Sequence, residues 1–306
     1  MPPITVRCDD EPVRAAVQRW LDAGRIEPPL PLEIAIRIGD VVVPPQGDSR
    51  PIFHQPEISI RSSGTDDRVT ITWDTWPASA ELPSKSTTAE VRLSRDAVDH
   101  LDGCLRHFLI TVLIFLLRRA GWHHVHAATA VDTRGRGWLL AGNSEAGKST
   151  TAALLATRGW AVGSDDITFL EARPGGRVTA HAFRTRLALR SGGEALLARA
   201  GGQTLSGRGK VGFWPEELGG SWAPEVEPDI LLFTRVGDTV TEVEPMRPAD
   251  TLAELVRWSA WVALEPALAQ DHLDLLSALG AQARAFRVRL GRDLFDDANL
   301  IERVIP

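Results

Sequence analysis

Residues Gly142-Asn143-Ser144-Glu145-Ala146-Gly147-Lys148-Ser149 fit the frame G-x-x-x-x-G-K-[ST], a pattern whose chemistry is the cradling of phosphate. Backbone N–H groups of such a loop point at phosphate oxygens, and the start of the following helix adds a partial positive charge. Lys148 can reach the β- and γ-phosphates as a point charge, and the Ser149 hydroxyl can ligate Mg²⁺. The predicted nucleotide-binding residues are therefore Gly142, Asn143, Ser144, Glu145, Ala146, Gly147, Lys148, Ser149 and Thr150, and the predicted cofactors are ATP and Mg²⁺.

A second stretch, Gly163-Ser164-Asp165-Asp166, places two acids side by side at the end of a short predicted strand. Beside a phosphate loop, one such acid can support the metal and the other can take a proton from an attacking hydroxyl. Three histidines, His123, His124 and His126, lie just upstream. On a strand their side chains alternate, so His124 and His126 share a face and His123 points away. No cysteine or second histidine cluster completes a metal site there, and Cys8 and Cys104 stand far apart, so neither zinc nor a disulfide is expected.

The elements that must hold these groups can be read from the pattern. Trp138-Leu139-Leu140-Ala141 is a short apolar run that predicts a buried strand. Thr151 to Ala156 is Ala/Leu-rich with no Gly or Pro before Gly159, which predicts a helix with a glycine stop. Val125–Val131 and Gly137–Ala141 read as a hairpin joined by Thr133-Arg134-Gly135-Arg136. Asp229–Thr234 and Ala285–Leu290 are further core strands. Helices are predicted over 251–264 and 267–279, and a short one ends at Val304. Residues 191–222, rich in glycine, read as a mobile loop, with Lys210 able to reach phosphate. Arg184 and Arg186 are candidates for phosphate or acceptor contacts; a solvated strand face is the alternative.

Upstream, residues 1–98 read as a smaller α+β region. A helix is expected over Glu11–Ala23, with Val13, Val17, Trp20 and Leu21 on one face and Gly24 as its stop. Strands over 32–38, 58–61, 69–73 and 91–93 predict a mostly antiparallel sheet. Ser94 to Arg119 reads as one helix. Its apolar run, Phe108–Leu117, covers ten residues, half of what a membrane span needs (about 20), so no span is predicted. The net charge of −6 gives no broad footprint for nucleic acid. No signal peptide is visible at the N-terminus, and a cytoplasmic location is expected.

In the order His126, Gly142 to Ser149, Arg158-Gly159-Trp160 and Asp165-Asp166, the chain resembles the HPr kinase/phosphorylase family and its HPr-kinase-like relatives, including the peptide kinases of lasso-peptide pathways. Lys148 to Asp165 spans 17 positions and His126 to Lys148 spans 22, close to the family's spacing. The resemblance covers residues 122–172 and is absent over 1–95. It implies an α/β P-loop kinase core of the HPr kinase/PEP carboxykinase type over residues 99–306. It also implies roles: Lys148 and the loop amides on the ATP phosphates, Ser149 and Asp165 on Mg²⁺, and Asp165 and Asp166 sharing metal support and general base. Asp166 is favoured as the base, with His126 assisting.

The implied reaction is transfer of the γ-phosphoryl group to a serine hydroxyl of a peptide or small protein, among which a ribosomally made precursor is favoured over HPr itself. The N-terminal region would then bind the acceptor by adding a strand to a sheet edge. Family members are often oligomeric, so a homo-oligomer is a further expectation. One departure stands out. The family's loop reads Ser-Gly-x-Gly-Lys-Ser, and Glu145 stands here in place of a glycine. If that position needs φ > 0, glutamate strains the backbone and brings a negative charge near phosphate. That favours an alternative reading as an ATP-binding sensor without turnover.

Overall fold

The computed structural model describes residues 3–41, 49–55, 58–63, 68–83, 85–190, 203–205, 210–298 and 300–305. The chain is α/β with mixed sheets, and it packs as two compact units. One contains residues 1–123 and 261–269, the other residues 124–260 and 270–306. The boundary therefore falls later than the residue 98 expected from composition. The reason is the apolar helix over 110–119, which packs on the first unit's own sheet rather than opening the second unit.

In the first unit the order is β1 (Ile4–Cys8), α1 (Glu11–Gly24), β2 (Leu32–Ile38), β3 (Ser49–Gln55), β4 (Ile58–Ser63), β5 (Val69–Trp73), β6 (Ala78–Leu82) and β7 (Thr88–Leu93). Asp10 caps α1 by accepting from Val13 N–H, and Val13, Val17 and Leu21 are buried along one face, each stabilising by roughly 1.5–3 kcal/mol. The sheet order is β1-β2-β7-β6-β5-β4-β3. From β7 to β3 the pairing is antiparallel, as the alternating pattern predicts. β1, β2 and β7, however, are parallel neighbours. A parallel pair needs a crossover, and α1 supplies it between β1 and β2. Strands β1, β3 and β6 were invisible in the pattern.

The single helix expected over 94–119 is broken. Ser94 does cap α2 (Arg95–Asp99), accepting from Ala97 N–H at 3.1 Å. After α3 (Leu101–Gly103) comes a π-helical turn, Cys104–Leu109, and then α4 (Ile110–Arg119). Thr111 Oγ1 donates back to the His107 carbonyl at 2.8 Å where the two meet. Inside α4 even Arg118 is 2 % exposed. Its guanidinium donates to the Trp261 carbonyl and, at 2.9 Å, to that of Val262. Arg119 pairs with Glu265 at 2.9 Å, and Phe115 meets Trp261 edge to face with centroids 5.7 Å apart. No helix among the described residues is long and apolar enough to cross a membrane.

The second unit holds a ten-stranded mixed sheet and a three-stranded one. Its elements are β8 (His123–Val131), β9 (Gly137–Ala141), α5 (Lys148–Ala156), β10 (Ala161–Val162), β11 (Ile167–Ala172), β12 (Val178–Ala182), β13 (Leu187–Leu189), β14 (Gln203–Leu205), β15 (Lys210–Phe213), β16 (Ser221–Trp222) and β17 (Glu225–Val226). They continue with β18 (Pro228–Val236), β19 (Glu242–Pro245), α6 (Pro248–Trp258), α7 (Pro266–Gln282), β20 (Arg284–Leu290), α8 (Asp293–Asp296) and α9 (Leu300–Val304). The main path runs β17-β12-β11-β8-β9-β18-β20-β19, with β10 against β8 and β16. Strands β9, β18 and β20 are parallel.

β9 and the middle of β18 are buried on both faces, hence their unbroken apolar runs, whereas β20 alternates, burying Phe286, Val288 and Leu290 and leaving Arg287 and Arg289 partly exposed. One face carries Trp138, Leu140, Ile230, Leu232, Phe286 and Val288, packed with the Ala152–Ala156 side of α5. Residues 191–222, expected as loop, contain β14, β15, a 3-10 turn over Pro215–Leu218 and β16 where described; the pairs Gly201-Gly202 and residue Gly209 lie outside the described residues. The helix expected over 251–264 ends at Trp258, because residues 261–269 leave for the first unit.

Candidate functional site

The glycine loop 142–147 leaves the C-terminal end of β9, a central strand, and enters α5. Gly147 has φ +87°, a left-handed turn that glycine makes without cost. Helix α5 has no side-chain cap. The first backbone bond into it is from Thr151 N–H to Gly147 O at 2.8 Å. First-turn amides ahead of it lack intrahelical acceptors, so they face the loop's concavity with the positive end of the helix dipole. An uncapped helix start behind a glycine loop fits an anionic phosphate group.

Lys148 is 6 % exposed. Its Nζ donates to Gly142 O at 2.7 Å and Asn143 O at 2.9 Å, and lies 3.0 Å from His126 Nε2. Burial lowers its pKa, against the opposing charges of Asp166 and Asp165. His126 Nδ1 in turn lies 2.8 Å from Asp166 Oδ1. An ammonium at Nε2 needs a lone pair there, so the neutral tautomer with hydrogen on Nδ1 satisfies both contacts. Lys148, His126 and Asp166 thus form one hydrogen-bonded chain.

The two acids sit in the bend between β10 and β11, not on a strand as the pattern predicts. Ser164 organises that bend. Its hydroxyl accepts from Asp166 N–H at 3.2 Å and Ile167 N–H at 2.9 Å, and its carbonyl accepts from Thr129 N–H on β8 at 2.9 Å. Gly163 is needed beside it, since a Cβ there would lie 2.5 Å from both Ala223 O and Thr129 Oγ1.

The neighbouring carboxyls then diverge. Asp165 is 3 % exposed and accepts from Ala188 N–H at 3.0 Å, with the Ser149 side chain close enough to favour its charged form. Burial, and then the Asp166 charge, raise its pKa. For Asp166, burial pushes upward while the His126 hydrogen bond and the Lys148 charge pull down. The His126 and Lys148 contributions together outweigh the burial, and the carboxylate sits below its ordinary range. Such a split, with one acid buried against Ser149 and one exposed and anionic beside His126, can divide metal support from proton acceptance. The Ser149 hydroxyl and Asp165 carboxylate are hard oxygen donors of the kind Mg²⁺ takes. No cluster of three His, Cys, Asp or Glu suited to a metal exists among the described residues, and Mg²⁺ bound largely through phosphate and water does not need one.

Glu145 has φ +71°, in the left-handed region. Its carboxylate pairs with Arg190 at 2.8 Å, both side chains about 60 % exposed. Arg184 and Arg186 are engaged with other partners. Arg184 pairs with Glu216 at 2.9 Å and lies over Trp214 and Trp222; Arg186 pairs with Glu217 at 2.9 Å and also lies over Trp214. Neither is bonded to the loop or the acids. Lys210 begins β15, and its charge opposes the pKa rise of Asp165. His124 is buried against Phe169. Nothing in the residue pattern marks the Ala188 amide or Arg190, and for Ser164 as the bend's organiser the Ser-x-x turn pattern is the one local signal.

No protein-family model and no curated protein matches the chain. Among solved structures, the HPr(Ser) kinase/phosphatase from Coxiella burnetii aligns over 60 % of this chain and 93 % of that one, with 13 % identity and a TM-score of 0.30. That is a distant structural likeness, too slight to carry function, which rests on the side chains themselves.

Proposed function

We propose that the chain is a Mg·ATP-dependent kinase that transfers the γ-phosphoryl group to a serine hydroxyl of a peptide or small protein. The observation that carries this reading is the Lys148–His126–Asp166 chain beside a second, buried acid, Asp165. Lys148, once released from Gly142 O and Asn143 O, and the first-turn amides of α5 hold the phosphates. Ser149 and Asp165 would hold Mg²⁺, which would supply positive charge to the phosphate oxygens. Asp166 is the base: the serine O–H proton passes to its carboxylate as the serine oxygen bonds to the γ-phosphorus, and the bond to the β-phosphate oxygen breaks to leave ADP. His126 orients Asp166 through its Nδ1–H. Edge strands β1 and β3 of the first sheet are where an acceptor peptide would add.

The test is γ-labelled ATP with Mg²⁺ and size-fractionated extract of the source cells. Label should appear in peptides or one small protein with the unaltered chain and not with Lys148→Ala. Asp166→Asn should lower transfer by at least 10²-fold while ATP affinity stays within a few-fold. Label that persists in Asp166→Asn would refute the assignment of the base.

One observation favours a second reading, an ATP-binding sensor without turnover. Glu145 holds a left-handed backbone and a negative charge in the loop itself. A sensor would bind ATP, label nothing, and keep its function in Asp166→Asn.

A further inference from the structure

A cavity of about 400 Å³ opens on the outer side of the glycine loop. Its walls are Asn143–Ala146, the end of β18 with Arg235, the α6 residues Glu254, Arg257 and Trp258, and Arg287 on β20. The volume is that of an ordinary small-molecule site. The cavity walls carry three arginines and two glutamates, and Glu145 is paired with Arg190 at 2.8 Å. Glu254 is committed, one oxygen 3.2 Å from Arg257 and the other accepting from Trp258 Nε1 at 3.2 Å. Arg235 and Arg287 have no ion pair among the described residues.

Its position is informative. His126 lies on β8, one strand to one side of β9, and the acid bend is tied to β8. The cavity lies at β18 and β20, on the other side of β9. β8 and β18 are two strand spacings apart, about 10 Å, a span that a triphosphate chain bridges. A nucleotide lying along the loop with its terminal phosphate toward Asp166 therefore has its nucleoside end toward the cavity. The groups found there suit that end. The indole, fixed by Glu254, offers a flat face to a base. The two unpaired guanidiniums offer charge to the innermost phosphate and planes to the ring.

We propose that this cavity is the nucleoside subsite: Trp258 stacks on the base, with Arg235 and Arg287 at the ribose and innermost phosphate. This rests on the loop being a phosphate site, and it adds residues more than eighty positions away in the chain that no phosphate-loop pattern includes.

The experiment compares ATP with inorganic tripolyphosphate, which has the phosphates and no nucleoside, by calorimetric titration of the full chain. Trp258→Ala should weaken ATP about ten-fold and leave tripolyphosphate unchanged, which also certifies that the loop is folded in the variant. Trp258→Phe, which keeps an aromatic face, should stay within about three-fold of the unaltered chain for ATP. Arg287→Ala should weaken ATP more than tripolyphosphate. An ATP affinity unmoved by Trp258→Ala overturns the proposal, and so does an equal loss for both ligands. Lys148→Ala is the separate check on the loop and should lose both ligands. Failure of the unaltered chain to bind either one would overturn the phosphate-loop reading itself and this inference with it.

Discussion

Replacing Glu145 separates two effects that the loop combines. Glu145→Ala removes the charge and keeps a side chain at φ +71°; Glu145→Gly removes both. A left-handed backbone costs a non-glycine residue about 1–2 kcal/mol, and glycine gives back roughly 0.5–1 kcal/mol through the freedom of its unfolded chain. The Gly variant should therefore be more stable than the Ala variant by about 0.5–1 kcal/mol. For a unit of this size that is a gap in Tm of about 1–4 °C. Both lose the Arg190 pair, but its side chains are some 60 % exposed, so its loss costs well under about 1 kcal/mol and cancels between the two. The charge effect appears in binding. One Debye length away, about 8 Å, a unit charge repels each phosphate charge by about 0.5 kcal/mol in water before screening. Summed over a triphosphate and screened by salt, this gives both variants about two- to five-fold tighter tripolyphosphate binding, more at low ionic strength. The assays are differential scanning calorimetry and titration at two salt concentrations. Ala and Gly variants that melt together would refute the backbone argument; unchanged affinity in both would refute the charge argument.

Two further predictions concern the frame around the site. Burial lowers the pKa of His124 to about 3, so between the unfolded value near 6.5 and that value the unfolded chain binds a proton that the folded one does not. Stability should fall as pH drops through this window, by up to about 1.4 kcal/mol per pH unit from this group, and denaturant titrations of His124→Phe should show a flatter slope. Gly163→Ala puts a Cβ 2.5 Å from Ala223 O and Thr129 Oγ1; overpacking of about 1–3 kcal/mol should lower Tm by several degrees and weaken Mg²⁺-dependent ATP binding, and an unchanged melting curve would contradict it.

What could be read from the chain alone follows from how local each signal is. The strand, loop and helix from Trp138 to Ala156 are specified by contiguous residues, and they stand where the pattern puts them. The proximity of His126, Lys148 and Asp166 was legible only through the family resemblance; the contacts themselves depend on β8 lying beside both β9 and the acid bend. The parallel β1-β2-β7 arrangement was not legible, because alternation specifies a strand's faces and not the direction of its neighbour. The break at 104–109 was hidden for a related reason: a π turn keeps every residue as apolar as a regular helix would. Arg118 reads locally as the polar end of a helix. It is buried because carbonyls over 140 positions away accept its hydrogen bonds.

That distant pairing has a bearing on how the protein is made. The first unit is discontinuous: residues 261–269 supply the acceptors for Arg118, the carboxylate for Arg119 and the ring against Phe115. On the ribosome, then, the N-terminal unit stays incomplete until most of the chain has emerged, with two arginines awaiting partners in an otherwise apolar helix. The continuous stretch 124–260 precedes that closing segment in synthesis, so vectorial, N-terminal-first folding is not open to this protein in its simple form. The long loop closure also sets a slow step of high contact order at the end of assembly. For the same reason a truncation at residue 98 would not release a clean domain, since it would strand α4 and the 261–269 segment without the sheet on which they close.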